Sequence, residues 1–289
     1  MRRIVPGRRG RPIGAAPVVV AFAVGLTVLA GCSSGSAGPA EATDNGATGN
    51  AKLTIGIADD EPGVSIKTDN GYAGFDIDTA NYVAGKLGVP TANITWKPVD
   101  PGERISALEK GEVDLVVATF SITPEREQQV SFAGPYFIAH QDLLIRRNDT
   151  SITSPETLNG KILCEASGTT SADYVTQHYA GKITVREVPT FSECVRNLAN
   201  GDVDAVSTDD LILAGFAAEP QYKGILKVVG KGFTDERYGI GVKKGDTELV
   251  AKVNAALRSY IDDGSWKRSL DRNIRPSGYG IPDPPAIGG

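Results

Sequence analysis

The chain contains two similar segments, and this internal repeat limits the folds that it can adopt. Residues 105–117 read ISALEKGEVDLVV, and residues 194–206 read CVRNLANGDVDAV. Each segment has the features of a helix, then a glycine that ends it, an acidic residue and a strand. A helix-then-strand unit that occurs twice predicts two α/β lobes with parallel strands and right-handed crossovers.

The flanking segments extend each unit into a longer series. In the first series we predict strands at 52–58, 93–99 and 113–117, with helices at 75–87 and 103–110. In the second series we predict strands at 161–165, 182–188, 203–207 and 225–229, with helices opening near 168, 192 and 209. A regular amphipathic helix at 247–262 follows. We predict a loop at 59–63 and a frayed, proline-rich tail at 281–289.

The N-terminus has the features of an export signal. Five arginines precede an apolar run at 15–30 that ends Leu29-Ala30-Gly31-Cys32, which predicts a signal peptide over 1–31. The ending resembles a bacterial lipobox, and this resemblance implies cleavage before Cys32 and lipidation of its thiol. An ordinary signal peptide and an N-terminal anchor helix are the alternatives, and both Sec and Tat export remain open. Residues 32–51 are rich in Gly, Ser, Ala and Thr and predict a flexible tether.

The charge balance changes once the signal peptide is removed. Residues 1–31 contain five Arg and no acid, so the remaining chain has 25 basic and 35 acidic residues and a net charge of −10. An acidic protein without a basic cluster indicates no nucleic-acid partner, and any anionic ligand must be held by local groups. The chain has only two histidines, His140 and His178. We therefore expect no metal and no cofactor.

The cysteines allow one pairing. With Cys32 assigned to lipid, Cys164 and Cys194 remain in an exported, oxidising setting. We predict a disulfide between them, with two free buried thiols as the alternative.

Polar residues follow the strands of both repeats. After the strand at 113–117 come Thr119, Ser121 and a Pro124 that starts a helical turn carrying Arg126. Hydroxyl groups, a guanidinium and the N–H groups of a helix start together suit a carboxylate. The second copy ends at Asp209. Polar groups at the carboxyl ends of strands in two lobes predict a ligand site between the lobes.

The ordered motifs resemble family 3 of the extracellular solute-binding proteins, the amino-acid receptors of ABC importers. They cover about residues 50–275 and are Gly74-Phe75-Asp76-Ile77-Asp78, Leu108-x-x-Gly111-x-x-Asp114-Leu115, Ser121-Ile122-Thr123-Pro124-Glu125-Arg126, Phe132-Ala133-Gly134-Pro135-Tyr136 and Gly168-Thr169-Thr170-Ser171. The resemblance implies a two-lobe, periplasmic-binding-protein-like α/β fold of type II. Lobe 1 would be residues 52–142 and 238–289, and lobe 2 residues 143–237. Two crossing hinge strands, Gln141–Arg147 and Glu236–Lys243, would join them.

The resemblance also implies roles for single residues. Arg126 would bind the α-carboxylate of an amino acid, Thr119 and Ser121 would bind the carboxylate or the ammonium group, and Thr169 and Thr170 would close over the ligand from lobe 2. Asp209 would accept the ammonium group. The structural alternatives are a surface Arg126 paired with a neighbouring acid, hydroxyl groups that cap turns or helices, and aspartates at 209 and 210 that both act as helix caps.

One arginine bears on the choice of amino acid. In the glutamate- and aspartate-binding members an Arg at the place of Arg104 meets the side-chain carboxylate, so Arg104 favours an acidic ligand; a solvated Arg beside Glu103 is the alternative. Related glutamate receptors carry Lys or Arg after the first strand, where this chain has Ala58 and then Asp59-Asp60-Glu61. Because acids near the mouth oppose a second negative group, glutamine and asparagine remain open.

These features predict a monomeric, lipid-anchored receptor on the outer face of the cell membrane. It would capture an amino acid and present it to an ABC permease and its ATPase. An exported dehydratase-like enzyme on the same fold and a ligand-sensing module are the other classes considered. We predict no enzyme activity, since no Ser–His–Asp or Cys–His arrangement is evident.

Overall fold

The computed structural model describes residues 51–179 and 181–288. The strands, in chain order, are β1 (Leu53–Ile57), β2 (Asp60–Glu61), β3 (Ser65–Thr68), β4 (Gly71–Ala73), β5 (Ile94–Pro98), β6 (Leu115–Ser121), β7 (Ser131–Ala139), β8 (Gln141–Arg146), β9 (Ile162–Ala166), β10 (Thr184–Val188), β11 (Ala205–Asp209), β12 (Leu226–Val228) and β13 (Glu236–Val242). The helices are α1 (Phe75–Lys86), α2 (Arg104–Glu109), α3 (Pro124–Glu127), α4 (Thr170–Tyr179), α5 (Phe191–Asn200), α6 (Asp210–Ala218), α7 (Thr247–Asp262) and α8 (Ser265–Asn273).

The first lobe is built on a five-stranded mixed sheet of order β5-β1-β6-β13-β7. Strands β1, β5 and β6 are parallel, as the repeat predicts, and β13 runs antiparallel to both β6 and β7. Helices α1, α7 and α8 bury their apolar residues in one core of this lobe. Helix α2 packs with residues of β6 in a second core.

The second lobe repeats this plan on a sheet of order β10-β9-β11-β8-β12. Strands β9, β10 and β11 are parallel, whereas β8 is antiparallel to β11 and β12. The predicted disulfide is present, because Cys164 on β9 is bonded to Cys194 on α5. This bond links α5 covalently to β9 of the second-lobe sheet.

The chain passes between the two sheets immediately before each of the two predicted crossing strands, which themselves lie within the sheets as β8 and β13. His140 separates β7 in the first sheet from β8 in the second, and Thr234 precedes β13, which returns to the first sheet. The two passages touch, since His140 Nδ1 lies 2.9 Å from the carbonyl oxygen of Thr234. The fold class predicted from the sequence is therefore observed.

Some predicted elements were wrong or missing. The predicted loop at 59–63 contains β2, which belongs to a small antiparallel sheet of order β2-β3-β4, and β7 was also missed. These strands are short or contain glycine, so their sequences show little alternation of apolar and polar residues. Their formation depends on pairing with neighbouring strands. The tail is not frayed: Ile281 and Ile287 pack against the first-lobe core, and the Gly288 N–H donates to the Gly134 carbonyl oxygen over 2.9 Å.

Several N-terminal predictions lie outside the described residues: the signal peptide, the lipidation of Cys32 and nearly all of the tether. Within the ranges that are described, no helix has the length and apolar character needed to cross a membrane.

Candidate ligand-binding site

One small pocket between the two lobes is lined by every ligand-binding residue that the sequence predicted. Its predicted lining residues are Arg104, Thr119, Ser121, Arg126, Thr169, Thr170 and Asp209. Ser171, Phe191, Thr208 and Ile212, which sequence reasoning did not single out, complete the wall. The first four predicted residues come from β6, α2 and α3 of the first lobe, and the other three from the second lobe.

Arg126 lies inside this pocket, not on the surface. Pro124 starts α3, and the Thr123 hydroxyl caps it by accepting the Arg126 N–H over 3.3 Å. The guanidinium, on a residue only 8% exposed, donates to the carbonyl oxygens of Ser121 (2.8 Å) and Gly168 (3.1 Å). This position excludes the alternative of a solvated arginine paired with a neighbouring glutamate.

Arg104 is also buried, with 4% of its surface exposed. Its guanidinium donates to backbone carbonyl oxygens of both lobes, which are those of Pro101 (2.9 Å), Ala118 (2.9 Å), Thr119 (3.2 Å) and Gly168 (3.3 Å). Burial, with the nearby charge of Arg126, lowers the pKa of Arg104 to about 9. The alternative of a solvated Arg104 beside Glu103 is therefore wrong.

Both arginines lie over the ring of Phe120. The guanidinium carbons of Arg104 and Arg126 lie 4.6 and 5.0 Å from the ring centroid of Phe120. Neither arginine is within 4.0 Å of an acidic oxygen in the part of the chain that the structure describes. Because a buried charge without a counter-ion is costly, this half of the pocket is suited to an anion.

The second-lobe clamp is the N-terminus of α4. The Thr169 hydroxyl donates to the Ala166 carbonyl oxygen (2.8 Å) and accepts the Ala172 N–H (3.2 Å), so it caps the helix. The Thr170 hydroxyl donates to Glu236 Oε2 over 2.8 Å. Both hydroxyl groups are thus engaged within the protein, and the N–H groups at the start of α4, other than that of Ala172, are the donors available to the pocket.

Asp209 ends β11 and precedes α6, and it is 4% exposed. Its Oδ2 accepts the Tyr238 hydroxyl over 2.6 Å. Burial, with the nearby charge of Glu236, raises the pKa of Asp209 well above its ordinary value. Its neighbour Asp210 differs, since Oδ1 of Asp210 accepts the Leu211 N–H (2.8 Å) and the His140 N–H (3.2 Å) at the passage between the lobes. Asp209 is therefore the aspartate of the pair that lines the pocket.

Thr119 has all of its polar groups engaged. Its N–H donates to Asp76 Oδ2 (2.8 Å), its hydroxyl donates to Glu61 Oε1 (3.1 Å), and its carbonyl oxygen accepts from Arg104. Its φ is 45°, a left-handed conformation that is unfavourable for a β-branched residue. Three side chains from three different elements therefore hold Thr119 in a strained position.

Sequence reasoning gave no role to four acidic or phenolic residues at the site: Glu61, Asp76, Glu236 and Tyr238. Asp76 lies in the quoted motif at 74–78 and receives a second hydrogen bond, from the Tyr136 hydroxyl (2.8 Å). Burial raises its pKa to about 7. The acidic stretch at 59–61 could have indicated that Glu61 belongs to the site. No local sequence pattern indicates this for Glu236 or Tyr238.

Asp60 and Glu61, in the acidic stretch at 59–61, lie in two different environments. Asp60 Oδ2 accepts the Ser192 N–H of the second lobe over 2.9 Å. Glu61 is 2% exposed, and burial raises its pKa well above the ordinary range. The burial of Glu61, which favours its protonated form, and the hydrogen bond of Asp60 to α5 explain how acids can lie near the mouth without excluding an anion.

The profile of the bacterial extracellular solute-binding proteins, family 3, matches residues 53–275. The chain belongs to this family. It is 38% identical over 268 residues to the glutamate-binding protein GluB of Corynebacterium efficiens, a match that covers 88% of this chain and 90% of the relative. It is 34% identical to the ABC transporter glutamine-binding protein GlnH of Bacillus subtilis, over 78% of this chain and 82% of that protein.

The fold is likewise similar to solved structures. An ancestral arginine-binding protein bound to glutamine superposes with a TM-score of 0.71 and 37% identity, covering 77% of this chain and 97% of the other. Within the described ranges, no group of three or more His, Cys, Asp and Glu side chains is placed to hold a metal ion.

Proposed function

We propose that the chain is the substrate-binding lipoprotein of an ABC importer. It captures an L-amino acid between its two lobes, prefers glutamate or aspartate, and delivers the amino acid to a membrane permease and its ATPase. The observation that carries this proposal is the pairing of two buried guanidinium groups with one buried carboxylate in the same small pocket. A dicarboxylic amino acid has the complementary charges, two negative and one positive.

Each charge of the ligand has a matching partner in this proposal. Arg126 and the N–H groups at the start of α4 bind the α-carboxylate, because guanidinium and helix N-termini are the strong donors for such a group. Asp209 accepts the ammonium group, which restores the charged form of a carboxyl whose pKa burial has raised. Arg104 faces the side-chain carboxylate. Thr119 and Ser121 line the wall between the two arginines.

Closure of the lobes completes the site. Arg104 and Arg126, on the first lobe, both donate to the Gly168 carbonyl oxygen of the second lobe. Rotation about the two passages near His140 and Thr234 would break these bonds and admit the ligand. The proposed lobes are residues 52–142 with 238–289, and 143–237.

Glutamine or asparagine is the second candidate ligand. The similarity to a glutamine-binding relative favours it, as does the acidic stretch at 59–61. The two buried arginines argue for the acidic ligand, because a neutral amide would leave Arg104 without a counter-ion. Binding without turnover is proposed for either ligand, and the two curated relatives are binding proteins by name.

The proposal also covers the cellular location and the oligomeric state of the protein. The protein would be exported, cleaved before Cys32, lipidated there and held on the outer membrane face by the tether at 32–51. It would act as a monomer. Mass spectrometry of the membrane-bound protein tests the anchor, since a lipidated N-terminal Cys32 is expected and an unmodified one contradicts it.

Calorimetry against the twenty amino acids tests the ligand. We expect glutamate to bind most tightly and Arg126→Leu to lower affinity for all amino acids at least about a hundredfold, since charged hydrogen bonds contribute about 1.5–3 kcal/mol each. Arg104→Leu should weaken glutamate at least about tenfold more than glutamine. The exposed Arg186→Leu is the matched control. Equal losses for both ligands with Arg104→Leu would contradict its role, and loss of free ligand on incubation would indicate an enzyme.

A further inference from the structure

The Thr119 side chain lies between the ligand pocket and the buried carboxyl group of Glu61. Its hydroxyl is 3.1 Å from Glu61 Oε1, while its side chain lines the pocket. The position is fixed from three sides, as its N–H is bound by Asp76 and its carbonyl oxygen by Arg104. A hydroxyl group has one hydrogen to donate. The partner to which the Thr119 hydroxyl donates therefore decides whether this hydrogen is available to a ligand in the pocket.

Glu61 is buried, and within the described residues no cationic side chain forms an ion pair with it. It is 2% exposed, and its Oε2 has no hydrogen-bond partner in the described ranges. Arg104 is near, yet its hydrogen bonds within the described residues go to backbone carbonyl oxygens and not to Glu61. Glu61 and Asp60 also line a second small cleft, which Arg104 borders as well.

Charged and polar groups on six elements interact with Glu61. Those with like charge raise its proton affinity, and Arg104 and the Thr119 hydroxyl lower it. They are Asp60 on β2, Asp76 on α1, Arg104 on α2, Thr119 on β6, Tyr136 on β7 and Tyr238 on β13. Burial and the two aspartates outweigh Arg104, so Glu61 holds its proton at a pH where an exposed glutamate has lost it.

We propose that Glu61 is a proton switch behind Thr119 that sets how strongly the pocket prefers an acidic over a neutral amino acid. This inference rests on the proposed function and concerns its regulation. When Glu61 is protonated, its O–H donates to Thr119 Oγ1, and the Thr119 hydrogen is free for the side-chain carboxylate of the ligand. When Glu61 is ionised, it takes that hydrogen back and adds a negative charge beside Arg104.

The two states differ for glutamate far more than for glutamine. A second carboxylate close to an ionised Glu61 is repelled, whereas a neutral amide is not and can itself donate a hydrogen bond. The α-carboxylate and the ammonium group are common to both ligands, so the titrations of Arg126 and Asp209 affect both alike. The ratio of the two affinities therefore reports on the side-chain end of the pocket.

Calorimetry with glutamate and glutamine from pH 6 to pH 8 tests the switch, because this range stays below the pKa of about 9 that burial gives Arg104. In the wild-type protein the preference for glutamate should fall at least about fivefold as pH rises, because one proton-linked group can change affinity by up to tenfold per pH unit. Glu61→Gln imitates the protonated acid and should keep the ratio within about twofold over the same range. Glu61→Leu, which cannot titrate either, provides a second variant should the first fail to fold.

Three results would overturn the inference. A wild-type ratio that is constant with pH would exclude a switch, and a ratio that falls in parallel in Glu61→Gln or Glu61→Leu would assign the titration to another group, such as Asp76. If the wild-type protein binds no amino acid even at pH 6, the proposed function itself fails, and this failure is distinguishable from a pH-independent ratio.

Discussion

Tyr238 donates its hydroxyl hydrogen to Asp209 Oδ2 over 2.6 Å, and this bond joins the two lobes. Tyr238 lies on β13 of the first sheet, and Asp209 ends β11 of the second. Both residues are buried. The contact therefore forms only when the lobes are together, and it supplies a donor to the ionised form of the carboxylate that is proposed to bind the ligand ammonium.

Tyr238→Phe should weaken amino-acid binding about tenfold or more, because a hydrogen bond to a charged group contributes about 1.5–3 kcal/mol. Glutamate and glutamine should lose affinity alike, since both carry the same ammonium group. Calorimetry with both ligands measures this. Tyr222→Phe, at a half-buried tyrosine after α6, is the control. A loss confined to glutamate would place the effect at the side-chain end instead.

Gly215→Ala should hinder closure. A Cβ at Gly215 on α6 would lie 2.1 Å from the carbonyl oxygen of Pro62, which belongs to the first lobe. Opening the lobes relieves this overlap, so ligand affinity should fall at least about tenfold, which corresponds to about 1.4 kcal/mol. Small-angle scattering with saturating glutamate should then show a larger radius of gyration than for the wild type.

Gly85→Ala is the matched control for that experiment. Gly85 lies within α1, and no atom lies within 4 Å of a Cβ built there. Alanine in a helix interior is about 0.5–1 kcal/mol more favourable than glycine, so this variant should be at least as stable as wild type and bind normally. Equal affinities of the two variants would contradict a steric role for Gly215.

Glu165→Gln should change how stability depends on pH. Glu165 is fully buried on β9, neither of its carboxyl oxygens has a partner in the described ranges, and burial raises its pKa from 4.5 to about 8, with Glu187 and Asp173 adding to the shift. The folded state thus binds this proton more tightly than the unfolded state. The stabilisation is complete below pH 4.5 and is lost as pH rises to about 8.

Urea unfolding of the wild type between pH 5 and pH 8 should therefore show a decline on the order of 1.4 kcal/mol per pH unit from this group. In Glu165→Gln the slope should be smaller by that amount. Glu109→Gln, at an exposed glutamate on α2, is the control. Parallel slopes for all three proteins would show that Glu165 does not titrate in this range.

Removal of the Cys164–Cys194 bond should destabilise the second lobe. The bond spans 30 residues of sequence, and the chain-entropy model gives about 3–4 kcal/mol for a loop of that length. Urea unfolding with and without a reducing agent measures the loss. A Cys164→Ala/Cys194→Ala double variant should be insensitive to the reductant, and an equal effect on that variant would point to another cause.

Much of the site could be predicted from sequence because its signals are local. Arg126 follows a threonine cap and a proline at the first helical position, so its helical turn is encoded within four residues. Asp209 stands at the end of a strand that the repeat itself identifies. The family resemblance then placed Arg104 and Thr170 at the ligand, and both line the same pocket in the structure.

The two α/β lobes and seven of the residues that line the pocket between them could be read from the sequence, because periodic patterns and helix caps depend on neighbouring residues. The partners of those residues became known only from the folded chain. Glu61 reaches Thr119 across 58 positions and Tyr238 reaches Asp209 across 29. The charge state of each acid follows from burial against such distant partners, and no local pattern contains that information.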